Sequence, residues 1–139
     1  MDYVPFAEPT ERSFDDVFFG EWLEDLIAFG VFEGDKLIGY VEGSIEGWNN
    51  RFCSATSACW TFPERSRGGI GTALMKTIEQ AAENTGARML ILETQSCNEN
   101  AIAFYKKNGF EIVGFDLYAY SNDDPERHEV RIEMGKKLH

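Results

Sequence analysis

The chain has 139 residues, a length that suits one domain and is too short for two. Hydrophobic residues make up 43% of it and aromatic residues 14%, and this composition excludes a disordered chain. The formal net charge of −11 argues against a nucleic-acid partner and favours a cationic small molecule. The same acidity could instead serve only solubility, and the composition leaves both interpretations open.

The sequence has no pattern typical of a metal site, a disulfide framework or a membrane span. Its cysteines, Cys53, Cys59 and Cys97, are an odd set without CxxC spacing, and two histidines are too few for a histidine-based metal centre. No apolar run approaches the roughly 20 residues of a membrane helix. The N-terminus lacks the basic and apolar regions of a secretion signal. We therefore expect a cytoplasmic protein with no metal and no membrane partner.

The first third of the chain predicts a helix and then three strands. Ser13 is a suitable N-cap for an amphipathic helix over about 14–26, whose first turn is acidic. Segments 27–32 and 36–45 have the composition of strands and are joined by a Glu-Gly-Asp turn, which predicts a β-hairpin. A third strand is predicted over 51–62.

A glycine-rich turn follows this third strand. Three of the four residues 68–71 are glycine, and an apolar stripe at helical spacing runs over about 70–85. Glycines let the backbone approach a ligand, and the first helix amides and the helix dipole suit a phosphate. Gly71-Thr72-Ala73 excludes a Walker loop, and Leu74 stands where a dinucleotide fingerprint needs a small residue. A tight turn that binds nothing is the structural alternative.

The second half of the chain predicts a buried strand, a short helix and two more strands. Gly86 suits the end of the first helix, and the apolar run 89–92 is typical of a strand that lies parallel to its neighbour. Strand, helix and parallel strand form one right-handed βαβ unit. A short helix is predicted over about 99–107, and two strands over about 110–120 and 128–135.

Two motifs together resemble the GNAT superfamily of acyl-CoA N-acyltransferases. They are the glycine turn and, about thirty residues later, the run 98–110, Asn-Glu-Asn-Ala-Ile-Ala-Phe-Tyr-Lys-Lys-Asn-Gly-Phe. The resemblance covers about 27–138 and implies an α/β (α+β) fold, with a mixed, mainly antiparallel sheet and a central parallel βαβ unit. Within the superfamily, four short runs look like the streptothricin acetyltransferases: Leu92-Glu93-Thr94-Gln95, Gly114-Phe115-Asp116, Trp48-Asn49-Asn50 and Glu129-Val130.

The resemblance implies acetyl-CoA as the co-substrate. In this family the amides of the glycine turn hold the pyrophosphate, and the strand before the turn pairs with the pantetheine arm. Asn98 matches an asparagine that lies against the cofactor, and Tyr105 matches a tyrosine that faces its sulfur. A diphosphate and an amide-rich arm do suit a helix end and a strand edge. The implied cofactor contacts are Cys59, Trp60, Thr61, Phe62, Arg67, Gly68, Gly69, Ile70, Gly71, Thr72, Asn98 and Tyr105.

The resemblance also implies direct transfer of the acetyl group to a primary amine of a small cationic acceptor, with streptothricin as the named candidate. The amine must lose a proton and the departing thiolate must gain one. Tyr105 is the implied proton donor, and an aromatic core residue is its alternative role. Glu93 is the candidate base, or else an anchor for the substrate. The candidate acceptor contacts are Trp48, Glu93, Asp116 and Glu129.

Three departures from the family pattern leave the acceptor open. Ser66 stands where the turn often carries Arg or Gln, and Ser57 and Ala58 replace an acidic pair of the streptothricin enzymes. Only about 26 residues precede the hairpin, so we expect the family's first strand to be missing. The edge left by that strand would suit a homodimer. A polyamine, an aminoglycoside or a peptide N-terminus is an alternative acceptor, and a non-catalytic CoA-binding module is the alternative from another class.

Overall fold

The fold comes from a computed structural model that describes residues 26–54, 60–61 and 69–139, with residues 60–61 described as backbone only. Of the predicted N-terminal helix, only Leu26 falls within these ranges, so that prediction lies outside the described residues. The described elements are β1 (Ile27–Glu33), β2 (Lys36–Glu46), β3 (Arg51–Cys53), β4 (Trp60–Thr61), α1 (Ile70–Asn84), β5 (Met89–Gln95), α2 (Glu99–Lys107), β6 (Glu111–Asp116) and β7 (Arg131–Lys137).

The predicted β-hairpin is confirmed. β1 and β2 pair antiparallel from Ile27 opposite Gly43 to Glu33 opposite Lys36. Gly34 in the turn has φ 61°, a left-handed conformation that glycine adopts without steric cost. The turn therefore follows from its sequence.

The prediction of one strand over 51–62 is wrong, because the structure has two strands there. Both β3 and β4 pair antiparallel with β2. Six residues separate Cys53 from Trp60, whereas only three separate their partners Ser44 and Tyr40. The extra residues interrupt the register, as an insertion in one strand of a pair does. Alternating composition continues through such an insertion, so the pattern alone did not reveal it.

The parallel unit predicted around the first helix is present. β3 pairs parallel with β5, from Arg51 opposite Met89 to Cys53 opposite Ile91, and α1 connects the two halves of the sheet. Gly86 has φ 78° just beyond the end of α1, and its amide donates to the carbonyl of Glu83 at 2.9 Å. A left-handed glycine thus ends α1, as the sequence predicted.

The strands form one mixed sheet in the order β1-β2-β3-β5-β7-β6, with β4 also paired to β2. β5 pairs antiparallel with β7 along its whole length, and β7 pairs antiparallel with β6. Among the described pairings, only that of β3 with β5 is parallel. The mainly antiparallel sheet with a central parallel pair is therefore confirmed.

The hydrophobic core lies between one face of this sheet and the two helices. The ring of Phe52 is fully buried there, and a Cβ added at Gly43 would overlap it, so only glycine fits at position 43. Neither described helix is long and apolar enough to cross a membrane. The core residues are Val41, Phe52, Leu74, Met75, Ile78, Ala82, Ala87, Leu90, Leu92, Tyr105, Phe110, Val130, Ile132 and Met134.

The last two strands differ in extent from the prediction. β6 ends at Asp116 rather than near 120, and β7 begins at Arg131 rather than near 128. Asp116 accepts a hydrogen bond from the Tyr118 amide at 3.0 Å, which turns the chain away from the sheet. Aspartate side chains that bind nearby backbone amides compete with strand pairing in this way. Residues 117–130 therefore form a connection, called here the β6–β7 loop.

Candidate active site

Among the residues that the structure describes, the β3 side of the sheet has no partner for the carboxyl end of β5. On that side, the last described bond runs from the Ser54 amide to the Ile91 carbonyl at 2.9 Å. Residues 92–95 pair with β7, but no strand within the described ranges pairs with their other edge, and the described pairing of β4 is with β2. Within these ranges the sheet has an opening between β4 and β5, where an extended ligand could pair with a backbone edge.

The N-terminus of α1 has the features of a phosphate site. Gly69 precedes the helix with φ 76°, and as a glycine it supplies no side-chain cap. A helix leaves its first amides without an acceptor inside the helix, and its dipole makes that end positive. A Cβ added at Gly69 would meet no atom of the described residues within 4 Å. The predicted contacts Gly69, Ile70, Gly71 and Thr72 all lie at this end of the helix.

Several predicted cofactor contacts are outside the part of the chain that the structure describes. They are Cys59, Phe62, Arg67 and Gly68. Trp60 and Thr61 form the backbone of β4 and border the opening of the sheet. A Cβ added at Gly71 would lie 3.4 Å from the Phe104 ring, so the first turn of α1 packs close to α2. The two motifs of the sequence thus meet in space.

α2 carries the other two predicted cofactor contacts. Asn98 is its N-cap, and its Oδ1 accepts a hydrogen bond from the Ala101 amide at 3.2 Å. Tyr105 is only 3% exposed. Its ring makes edge-to-face contacts with Phe104 and Phe110, with centroids 5.5 and 6.0 Å away. The ring is therefore a core residue, and its packing fixes the direction of the hydroxyl group.

Glu93 lies on the sheet face opposite the helices. Successive strand residues point to opposite faces, and Leu92 and Thr94 are buried on the helical side. Tyr120 Oη donates to Glu93 Oε1 at 2.5 Å, and Arg131 Nη2 lies 3.3 Å from Glu93 Oε2. The Glu93 side chain is still 37% exposed. It is a held carboxylate that solvent and a small ligand can reach.

A fully buried aspartate holds the tyrosine that contacts Glu93. Asp124 Oδ2 accepts from the Tyr120 amide at 2.8 Å, and Asp124 Oδ1 accepts from Ser121 Oγ at 2.7 Å. Burial opposes its charge, but the hydrogen bonds from Ser121 and Tyr120 hold the pKa of Asp124 below its usual range. For Tyr120, burial, and then its bond to Glu93, raise the pKa of the phenol. The phenol therefore stays protonated and acts as a donor.

Two other predicted acceptor contacts lie at the same end of the sheet. Asp116 is exposed and lies opposite Arg131 in the antiparallel pairing of β6 with β7. Arg131 Nη2 lies 3.3 Å from Glu133 Oε1 as well as from Glu93 Oε2, so it bridges two carboxylates. Glu129 is buried just before β7, and its amide donates to the Asp124 carbonyl at 2.9 Å. The structure thus brings Glu93, Asp116 and Glu129 to one region.

Trp48 lies at the other end of the sheet. It is 86% exposed in the turn between β2 and β3. The carbonyl of Asn50 in this turn accepts from the Arg88 amide at 3.0 Å, which places the turn beside the start of β5. Glu93 is near the opposite end of that strand, so the structure does not bring Trp48 together with the other candidates.

A second carboxylate on the sheet face opposite the helices was not singled out from the sequence. Ser44, Cys53 and Ile91 lie in one row across the sheet, and Glu42 and Glu93 each lie two residues beyond it toward the same end. Glu42 is buried and its Oε2 accepts from Tyr40 Oη at 2.6 Å. The face opposite the helices therefore carries two carboxylates at one level.

Tyr120, Asp124 and Arg131 were also missed. Asp124 had a local signal, because Ser121 and two further polar residues precede it in a typical turn sequence. The bond from Tyr120 to Glu93 spans 27 residues and has no local signal.

A central parallel pair with a glycine-led helix beside it is the arrangement that the resemblance implies for an acyl-CoA-binding fold. The sequence model of the acetyltransferase (GNAT) family matches residues 2–110, and the chain belongs to that family. GNAT enzymes use acetyl-CoA and no metal.

Similar proteins include an uncharacterized protein and two named acetyltransferases. The uncharacterized protein YdhI of Bacillus subtilis (strain 168) is 30% identical over 124 residues, which cover 81% of this chain and 76% of that protein. Streptothricin acetyltransferase A of the same organism is 46% identical over 65 residues, which cover 46% of this chain and 36% of its own length. A crystal structure of nourseothricin acetyltransferase has a TM-score of 0.72 and 30% identity, and the match covers 89% of this chain and 71% of that one.

Proposed function

We propose that this protein transfers the acetyl group of acetyl-CoA directly to a primary amine of a small cationic acceptor, with streptothricin as the first candidate. The observation that carries the proposal is the Glu93 carboxylate, held at the open edge of β5 by Tyr120 and Arg131. Its support from relatives is the similarity to streptothricin acetyltransferase A and to nourseothricin acetyltransferase.

The residues around the opening would hold the cofactor. The amides of Gly69, Ile70, Gly71 and Thr72, preceded by Arg67 and Gly68, would receive the diphosphate at the start of α1. The backbone of residues 59–62 would pair with the pantetheine arm as a strand does. Acetyl-CoA supplies the thioester that the amine attacks. Asn98, at the neighbouring helix end, would contact the cofactor while it caps α2.

The carboxylates on the sheet face opposite the helices would receive the amine. A free alkylamine is mostly protonated at neutral pH, so a base must take its proton before attack. Glu93 is reachable and is held by a hydrogen bond, and both properties suit this role. Asp116 and Glu129 lie at the same end and would attract other positive charges of the acceptor, whereas Trp48 remains a weaker hypothesis.

The leaving thiolate would take a proton from the hydroxyl of Tyr105. Tyr105 packs on the helical face of the sheet and Glu93 projects from the other face. Two groups on opposite faces of β5 can act on one substrate only at the edge of that strand. The unpaired edge of residues 92–95 among the described strands is such a place.

The test is loss of the acetyl-CoA thioester, followed by ultraviolet absorbance with streptothricin and then with polyamines, aminoglycosides and a peptide amine. We expect rapid loss with at least one cationic amine and a product acetylated on nitrogen, shown by mass spectrometry. A protein that binds acetyl-CoA but leaves the thioester intact with every amine would be the non-catalytic module instead.

The role of Glu93 is tested by Glu93→Gln. Removal of a general base lowers kcat by roughly 10²- to 10⁴-fold. Glu111→Gln is the matched control, because Glu111 is an exposed glutamate at the start of β6, whereas the candidate acceptor contact Asp116 is at its end. Equal kcat values for wild type and Glu93→Gln would rule out Glu93 as the base.

A further inference from the structure

We propose that Tyr120 is a positioning residue for the candidate base: its hydroxyl fixes Glu93 Oε1, so that Oε2 is the oxygen that receives the acceptor amine. This inference rests on the proposed function. It assigns a role to the β6–β7 loop. Among the described hydrogen bonds, the bond from Tyr120 is the one that connects this loop to the Glu93 side chain.

The two bonds of Glu93 differ in strength. Tyr120 Oη lies 2.5 Å from Oε1, and an O–H···O⁻ bond of this length is among the strong charge-assisted class. Arg131 Nη2 lies 3.3 Å from Oε2, and both side chains are more than one third exposed. Tyr120 is itself 46% exposed, so the two bonds differ in length and not in exposure. Oε1 therefore carries the shorter bond, and Oε2 faces a cation that also contacts a second carboxylate.

Arg131 has a second partner to which it can withdraw. Its Nη2 is also 3.3 Å from Glu133 Oε1, so the guanidinium keeps a carboxylate when it leaves Glu93. An ammonium group that takes the place of the guanidinium at Oε2 would enter a position that already accommodates a positive charge. Tyr120 would keep the carboxylate in place during this exchange.

The loop is built to keep Tyr120 in position. The Tyr120 amide donates to buried Asp124, Ser121 Oγ donates to the same carboxylate, and the Glu129 amide donates to the Asp124 carbonyl. The backbone of Tyr120 is therefore fixed from inside the loop, which places the start of its side chain beside Glu93. A surface tyrosine without such support would lose more entropy on forming the same bond.

The first test is a double-mutant cycle on kcat/KM for the acceptor, with Tyr120→Phe, Glu93→Gln and both together. Misplacement of a catalytic group costs up to about a hundredfold, so we expect Tyr120→Phe to lower kcat/KM by roughly ten- to a hundredfold. In the Glu93→Gln background the same change should cost less than about twofold, because Tyr120 acts through Glu93. Equal losses in both backgrounds would overturn the proposal and leave the acetyltransferase activity standing.

The second test does not need turnover. Crystal structures of the wild type and of Tyr120→Phe are compared at the Glu93 side chain, with Arg131 and Glu133 of β7 still beside it in both proteins. We expect the Glu93 carboxylate to keep one orientation in the wild type and to take others when the hydroxyl is removed. A Glu93 side chain in the same place in both proteins would overturn the proposal, whatever the enzyme assay gives.

Tyr118→Phe is the matched control for both tests. Tyr118 is an exposed tyrosine two residues earlier in the same loop, and its bond to Asp116 uses the backbone amide, which the change keeps. We expect the kcat/KM and the Glu93 orientation of this variant to equal those of the wild type. A loss equal to that of Tyr120→Phe would mean that any change in this loop has the effect, and it would overturn the proposal.

Discussion

Tyr105 combines a core ring with a hydroxyl group that we assign to proton transfer. Because the ring packs between Phe104 and Phe110, Tyr105→Phe keeps these contacts and removes only the hydroxyl. We expect kcat to fall by roughly a hundredfold, with the affinity for acetyl-CoA nearly unchanged. Steady-state kinetics and calorimetric binding measure the two effects separately. A large loss of acetyl-CoA affinity would show that the hydroxyl group is structural.

Cys53 is a thiol that should resist modification. Burial, and then its hydrogen bond to Glu46 and the charge of that carboxylate, raise the pKa of Cys53 to about 12. Only the thiolate reacts with alkylating agents, so at pH 8 we expect Cys53 to react roughly a thousandfold more slowly than an ordinary thiol. Peptide mass spectrometry after iodoacetamide treatment measures this rate. Glu46→Gln should speed the reaction, and rapid labelling of the wild type would contradict the prediction.

Single residues were predictable where a short motif carried them. Asn98 and Tyr105 fall in one continuous run, and Glu93 directly follows the apolar run 89–92, so each could be singled out from the sequence. Tyr120 and Arg131 reach Glu93 from a distant loop and strand. Such contacts depend on the sheet register and the path of the loop, which local pattern does not contain.

At the level of elements, the β6–β7 loop should be sensitive to acid. The pKa of Asp124 is lowered in the folded protein, so its stabilising effect is complete above the unfolded value of about 3.9 and is lost as pH falls through the lower folded value. We therefore expect the Tm of the wild type to fall more steeply below about pH 4 than that of Asp124→Asn. Calorimetry between pH 2 and 7 makes the comparison. Parallel curves would contradict this account of the loop.

The elements with regular periodicity matched the sequence best. α1, α2 and the hairpin were predicted within a residue or two, because their apolar spacing, capping residues and turn glycine agree with one another. The break between β3 and β4 and the early end of β6 were missed. In both places the residues still have strand composition, and pairing or aspartate side chains decide where the strand stops.

For the whole molecule, the charge of −11 should assist capture of the acceptor. A negative protein attracts a cationic ligand over about a Debye length, which shrinks from about 30 Å at 0.01 M ionic strength to about 10 Å at 0.1 M. We expect kcat/KM for a cationic acceptor to fall several-fold over this range. The KM for acetyl-CoA, which is anionic, should not rise in parallel. A flat salt profile for the acceptor would indicate that the acidity serves only solubility.

The opening between β4 and β5 also bears on how long the protein survives. Residues 92–95 have no partner on one side among the described strands, so an acyl donor bound there would add hydrogen bonds to the folded state. A ligand at a hundred times its Kd adds about 2.7 kcal/mol to the folded state. On this geometry, degradation in the cell would slow when acyl donor is abundant and quicken when it is depleted. The amount of enzyme would then follow the nutritional state without any change in gene expression.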